Sequence, residues 1–429
     1  MKALFLAAAA IVATPLTAQT VAITGGTVAI GDGSAPIPGG TVVIRDGRIV
    51  AAGAGVSVPT GATVVDAQGK WVTAGITAGI GSLGLVDAGG VQESNDGSAR
   101  QSPFNAAIDV VPGLNPAGVM IGNERAGGVT RAIVANGAAG SIFGGLGAVI
   151  DLGADPDMVT RPRAFQYVEL GEQGADLAGG SRPAAWVMLH DALEQAADYA
   201  RSPGGFDGRG KDSLVKRADA KALAPVLSGA IPLVVHVERA SDILTALKLP
   251  ARYANLRLVI VGATEGWMVA REIAAARVPV MAAALVDLPA SFEQLGSTES
   301  NVGRMMRAGV TVGILFDGSG GEHNLKQFAG NLVAIGKVPG SAGLSWGEAF
   351  AAITSKPAQV MGLDSEIGSL RAGRRADVVL WDGDPLELAS VPTAVYIDGR
   401  EQPMNSRQRQ LRDRYLNVVE GALPKAYDR

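Results

Sequence analysis

Apolar and polar positions alternate in short runs at both ends of the chain and in longer strand–helix cycles between them. From Val21 to Val72 the segments VAITGGTVAIGDG, GGTVVIRDGRIVAAG and GATVVDAQGKWV follow the two-residue period of half-buried strands. Asp46-Gly47 separates Val42-Val43-Ile44 from Ile49-Val50, a two-residue hairpin signal. The same texture returns in IGSLRAGRRADVVLWDGDPL and TAVYIDGREQPM. A lone hairpin is marginal in water. The two terminal segments, residues 19–72 and 366–403, are therefore expected to join as one small composite β-sandwich domain.

Between them, residues 73–365 repeat apolar strands and amphipathic helices. Ile231 to His236 reads as a strand before a helix at Ala240 to Leu247, and Leu256 to Val261 as a strand before a helix at Gly266 to Ala276. Val278 to Ala282 and Val310 to Leu315 repeat the strand signal. Such cycles predict a parallel sheet, and at this length a closed α/β barrel, a TIM-like (β/α)8 fold. No dinucleotide fingerprint or Walker loop follows any strand, which argues against an open nucleotide-binding sheet. The glycine-dense stretch 122–153 is expected to be long plain connections, with a backbone-lined loop at the barrel mouth as the alternative. Residues 202–212 read as a mobile surface loop and 404–429 as a C-terminal helical segment.

Composition narrows the setting. Hydrophobic residues are 47% of the 429, which supplies a core, while 58 glycines imply many tight loops and close backbone contacts. A net charge of -4 without a basic stripe argues against nucleic acid as a partner. The start, MKALFLAAAAIVATPLTAQT, has Lys2, an apolar run from Ala3 to Ala13, and Pro15 before Ala18, the layout of a secretory signal over 1–18. Its apolar run is too short for the roughly 20 residues that span a bilayer. The expectation is a periplasmic or secreted protein with no membrane partner. There is no cysteine, so disulfides and thiol catalysis are excluded.

GKWVTAGI, PLVVHVERASDI, TSKPAQVMGLDSEIGSLRAGRRADVVLWDGDPL and the closing VYIDGRE together resemble the amidohydrolase superfamily, and within it the imidazolonepropionase-like members. The resemblance covers essentially the whole chain after the signal. It implies one or two divalent metals at the C-terminal mouth of the barrel, activating water against an amide, lactam or related carbon. The family's first strand carries Asp-x-His-x-His before Leu-Gly-Leu. Here the stretch is Ala78-Gly79-Ile80-Gly81-Ser82 before Leu83-Gly84-Leu85, so Ile80 and Ser82 occupy the histidine positions. Isoleucine has no lone pair, and a neutral hydroxyl is a poor zinc ligand beside imidazole or carboxylate.

The resemblance places His236 at the fifth-strand ligand position and Asp317 at the catalytic aspartate ending the eighth strand. The sixth-strand ligand position, Val261 to Glu265, has no histidine. Two ligands are fewer than the three of most catalytic zinc sites. The expectation is therefore no resident metal, with a single zinc held by a rearranged set as the alternative. Glu265, Glu322 and His323 lie just past predicted strand ends and are further pocket candidates. Each has a bland reading: His236 as a satisfied buried ring, Asp317 as a cap, Glu265 as a first-turn carboxylate, Glu322 and His323 as a solvated loop. His190 reads as a packing residue in a helix, and Glu93, Asp96 and Asp109 as carboxylates of unspecific spacing. No GxSxG elbow follows a strand, so a serine triad has little support. Two functions remain open: a hydrolase of carbon–nitrogen bonds in a small substrate, with Asp317 catalytic, and a catalytically inactive barrel serving as a binding or partner subunit. Self-association or pairing with a related subunit is compatible with either.

Overall fold

The computed structural model describes residues 20–208, 214–316 and 321–416. The signal expected at 1–18 lies outside them. The chain begins with β1 (Thr20–Ala29), β2 (Ile37–Arg45), β3 (Arg48–Gly53), β4 (Thr63–Asp66) and β5 (Trp71–Ala74). β2 and β3 form the expected hairpin, with Asp46 and Gly47 at φ of 50° and 74°, the left-handed pair that a tight two-residue turn demands.

The barrel follows. Its strands are β6 (Ile76–Gly81), β7 (Val129–Val134), β8 (Phe143–Asp151), β9 (Val159–Glu169), β10 (Leu233–Val237), β11 (Leu258–Gly262), β12 (Val280–Ala283) and β13 (Val312–Leu315), hydrogen-bonded in that order. The ladder ends at β13 and β6, which pack side by side. Gly79 permits that approach, since a Cβ there would sit 2.8 Å from Leu315 Cβ. The helices between and after the strands are α1 (Val119–Ala126), α2 (Glu172–Leu177), α3 (Arg182–Arg201), α4 (Arg217–Leu227), α5 (Ala240–Ala246), α6 (Leu249–Arg252), α7 (Ala270–Ala276), α8 (Asn301–Arg307), α9 (Leu325–Ile335), α10 (Trp346–Ala352) and α11 (Ser355–Val360).

β14 (Val378–Trp381), β15 (Pro392–Ile397) and β16 (Arg400–Glu401) then return to the first sheet. β14 pairs antiparallel with β5, so strands from both chain ends share one eight-stranded sheet. α12 (Arg407–Leu416) follows and lies against α1. The C-terminal helix is thus described as far as Leu416. No helix among the described residues is long and apolar enough to cross a membrane.

One expectation is overturned. The stretch 122–153 is not plain connection: it contains the end of α1 and all of β7 and β8. β8 runs antiparallel to both neighbours, so the barrel departs from eight identical βα repeats. Its glycines are there for clearance. A Cβ at Gly147 would lie 2.1 Å from the Phe165 ring, and one at Gly145, where φ is +95°, 2.3 Å from Ile108 O. Of the surface loop expected at 202–212, residues 209–212 lie outside the described residues; residues 202–205 are exposed, and Pro203–Gly208 forms a 3-10 turn in which Phe206 is buried against Tyr199.

The barrel interior is apolar. Ile133, Val149, Phe165, Val234, Val259, Val261 and Met281 form one cluster, closed at the strand starts by Ala358, Val360, Met361, Leu363 and Ile367. Beneath it, the fully buried Arg131 of β7 fastens the barrel to the terminal sheet. Its Nε and Nη2 donate to Asp377 at 2.7 and 2.8 Å, Nη2 also to Asp398 at 2.7 Å, and Nη1 faces Asp151 at 3.5 Å.

Candidate functional site

On β10, Val234 points into the apolar cluster, so two residues later His236 enters the next layer toward the mouth. On β9 the same alternation carries Phe165, Tyr167 and Glu169 inward. His236 is thereby flanked by two carboxylates: Nδ1 lies 2.7 Å from Glu169 Oε1 and Nε2 3.1 Å from Glu238 Oε1. Glu238 Oε2 accepts from Thr264 N at 2.8 Å. Gly262 makes room for that carboxyl, because a Cβ there would stand 2.7 Å from it.

Burial works against a charged ring, but Glu169 first, then Tyr167 and Glu238, hold the His236 pKa well above the usual imidazole value. Burial would likewise raise Glu238, yet its bonds from His236 and Thr264 prevail and hold it below the ordinary glutamate value. Below them, burial keeps the Tyr167 phenol protonated well above its usual range, with Glu169 and Glu238 acting in the same direction against His236. The result is an imidazolium donating both N–H groups.

The opposite side of the mouth is built differently. Ile80 packs against the interior cluster together with Leu315, extending the apolar filling where the resemblance expects a ligand. Ser82 is exposed. Beside the end of β6, Glu322 approaches Gly81, where a Cβ would lie 2.8 Å from Glu322 Oε1. Burial and the neighbouring Glu124 push the Glu322 carboxyl up to about 8, so it is protonated at neutral pH. Glu124 is fully buried and accepts from His323 N at 2.6 Å and His323 Nδ1 at 3.1 Å. Glu322 and His323 therefore meet at a buried carboxyl pair and are not a plain solvated loop.

The remaining candidates have other partners. Glu265 is buried and accepts from Ala240 N and Gly296 N, both at 2.9 Å, so it ties the loops after β10 and β12 together. That is not the first-turn role expected of it. Asp109 is bound to Arg163 at 2.7 Å, Glu93 and Asp96 are exposed, and His190 Nδ1 meets Tyr253 Oη at 3.0 Å on the outer helices. Asp317 lies outside the described residues.

The metal that the resemblance implies does not fit this donor set. Ile80 has no donor atom, both His236 nitrogens are engaged with carboxylates, and no group of three or more His, Asp or Glu among the described residues is arranged to hold an ion. Glu169, Tyr167, Glu238 and Glu124 escape the motif reading. Glu238 was detectable as the residue two past His236 on the same face of a strand. Glu169 and Glu124 had no such marker.

A model of the amidohydrolase family matches residues 183–405, more than half of the chain. The chain belongs to that family. Among curated relatives of this amidohydrolase-family protein, the imidazolonepropionase of Maricaulis maris (strain MCS10) is 31% identical over 155 residues, 35% of this chain and 36% of that one. The 5-methylthioadenosine/S-adenosylhomocysteine deaminase of Symbiobacterium thermophilum is 35% identical over 102 residues, 22% of this chain and 23% of that one. The chain thus matches about a third or less of the length of its curated relatives. A solved amidohydrolase from Thermotoga maritima MSB8 superimposes with a TM-score of 0.77 at 25% identity, over 89% of this chain and 99% of that one. The barrel is therefore an amidohydrolase barrel, with one strand reversed.

Proposed function

We propose that this amidohydrolase-family chain acts on a carbon–nitrogen bond of a small substrate at the C-terminal mouth of its barrel, without a metal held by the first strand. Family membership supports the hydrolase class, and the imidazolonepropionase and deaminase relatives support the bond type. The observation that carries the metal-independent part is the engagement of both His236 nitrogens by Glu169 and Glu238 beside an Ile80 that offers no donor. In this reading Glu322, protonated near neutrality, is the acid available to a leaving nitrogen, the His236 imidazolium supplies fixed positive charge at the mouth, and Asp317 remains the proposed catalytic carboxylate. The terminal segments form a composite β-sandwich domain, and the protein works outside the cytoplasm after removal of 1–18.

A second reading is favoured by Ile80 itself. It continues the apolar core into the mouth, as a barrel retained for binding or for pairing with a related subunit would have it. One experiment separates the two. The chain is purified from zinc- or manganese-supplemented medium, assayed for metal content, and tested against cyclic amides and dipeptides with His236→Ala and Asp317→Ala alongside. Hydrolysis without stoichiometric metal that both variants abolish supports the first reading. Absence of turnover supports the second, and a tightly bound zinc overturns the metal-independent claim in both.

A further inference from the structure

Arg125, on α1, is only 7% exposed, yet neither of its bonds reaches a carboxylate. Nε donates to Pro403 O at 3.3 Å and Nη1 to Leu152 O at 2.8 Å, and Nη2 has no partner among the described residues. Arg131, fully buried on the neighbouring strand, is met by three aspartates. Carbonyl dipoles replace only part of the hydration a guanidinium loses, so buried charges are as a rule matched by opposite charge. Burial alone lowers the Arg125 pKa, and no acid acts in the other direction.

The unmatched group borders a cavity of about 520 Å³ between α1, the 154–156 turn and the start of α12. Gly122 leaves Nη2 open to it, since a Cβ at that position would lie 3.8 Å from Nη2 with nothing else nearby. Ser406 and Arg407 line the same space, and Arg407 is exposed. The acid in the lining, Asp155, is exposed at the rim and accepts from Asp157 N at 3.0 Å. Asp87 sits against Gly118 at the start of α1, which makes that end unfavourable for an anion. Positive charge is therefore concentrated at the Arg125–Arg407 end. Leu152, which Arg125 holds, follows Asp151 and the Arg131 network, so the cavity lies toward the strand starts, away from the His236 mouth.

We infer that this cavity between α1 and α12 binds a small oxyanion, a phosphate or carboxylate group, on Arg125 Nη2 and Arg407. The site is independent of the chemistry proposed at the mouth.

Isothermal titration of the full chain with sodium phosphate and with sodium citrate, against sodium chloride at matched ionic strength, tests it. The expected result is saturable one-to-one binding of phosphate or citrate. Binding of phosphate alone would assign a phosphate group, and of citrate alone a carboxylate. Arg407→Ala, on an exposed helix, should weaken binding at least tenfold. Gly122→Leu should abolish it by covering Nη2, with the circular dichroism spectrum unchanged. No saturable binding of either anion, or binding unaltered in both variants, would overturn the inference.

Discussion

His236 Nδ1 and Glu169 Oε1 stand 2.7 Å apart, and with Glu238 on the other nitrogen this contact makes the ring a cation fixed between two acids. The same imidazole that aligns with a family ligand position is thereby a structural and electrostatic element of the mouth.

That arrangement has a pH signature. A folded pKa raised above the unfolded value means that the His236 contribution is complete below about 6.5 and is lost as pH rises through the folded value. The depressed Glu238 acts in the other direction: its contribution is present above about 4.5 and is lost as pH falls through the folded value. His236→Gln should cost about 3 kcal/mol near pH 6, where it leaves two carboxylates facing a neutral amide. Urea denaturation of both proteins from pH 5 to 10 should show the gap narrowing on the alkaline side. A gap independent of pH would show that the ring is neutral.

Glu322 should follow the sign of His236 and oppose that of Glu238. Its carboxyl is raised to about 8, so the fold favours the neutral form and loses stability as pH climbs from about 4.5 to 8. Glu322→Gln is expected to stabilise the protein at pH 9 by roughly 1–2 kcal/mol, after allowance for its partial exposure, and to change little at pH 5. Thermal melts at the two pH values test this, and destabilisation at pH 9 would contradict it.

Arg131→Met removes one guanidinium and strands Asp377 and Asp151 at the junction of barrel and sheet, while Asp398 keeps Arg375 at 2.9 Å. A loss of about 3–5 kcal/mol is expected from chemical denaturation. Burial outweighs Arg131 in raising Asp151 to about 6, and removing the cation should raise that carboxyl further, which a carbon-detected titration can follow.

Gly147→Ala places a methyl group inside the Phe165 ring. Overpacking of this kind costs about 1–3 kcal/mol. Phe165→Leu combined with Gly147→Ala should recover part of the loss, so a double-mutant cycle reads the coupling directly. Simple additivity would mean that β8 does not pack on Phe165 as described.

Much of the architecture was legible along the chain. Asp46-Gly47 marked its hairpin because only a left-handed pair of residues makes so short a turn, and the strands from Leu233 to Leu315 showed themselves as apolar runs followed by amphipathic helices. β7 and β8 were hidden. In Phe143–Asp151 glycines interrupt the apolar period, and their purpose, clearing the Phe165 ring and Ile108 O, involves residues far off in sequence or in a loop.

The site divides in the same way. Ile80 and Ser82 in place of histidines, and the scarcity of other histidines, were properties of the residues themselves, readable because a ligand either has a lone pair or lacks one. What His236 does instead was set by tertiary structure: Glu169 comes from 67 residues earlier, and Glu124 reaches His323 across 199. Ionisation depends on burial and on the charges within a few ångströms, and those neighbours exist only once the barrel has closed.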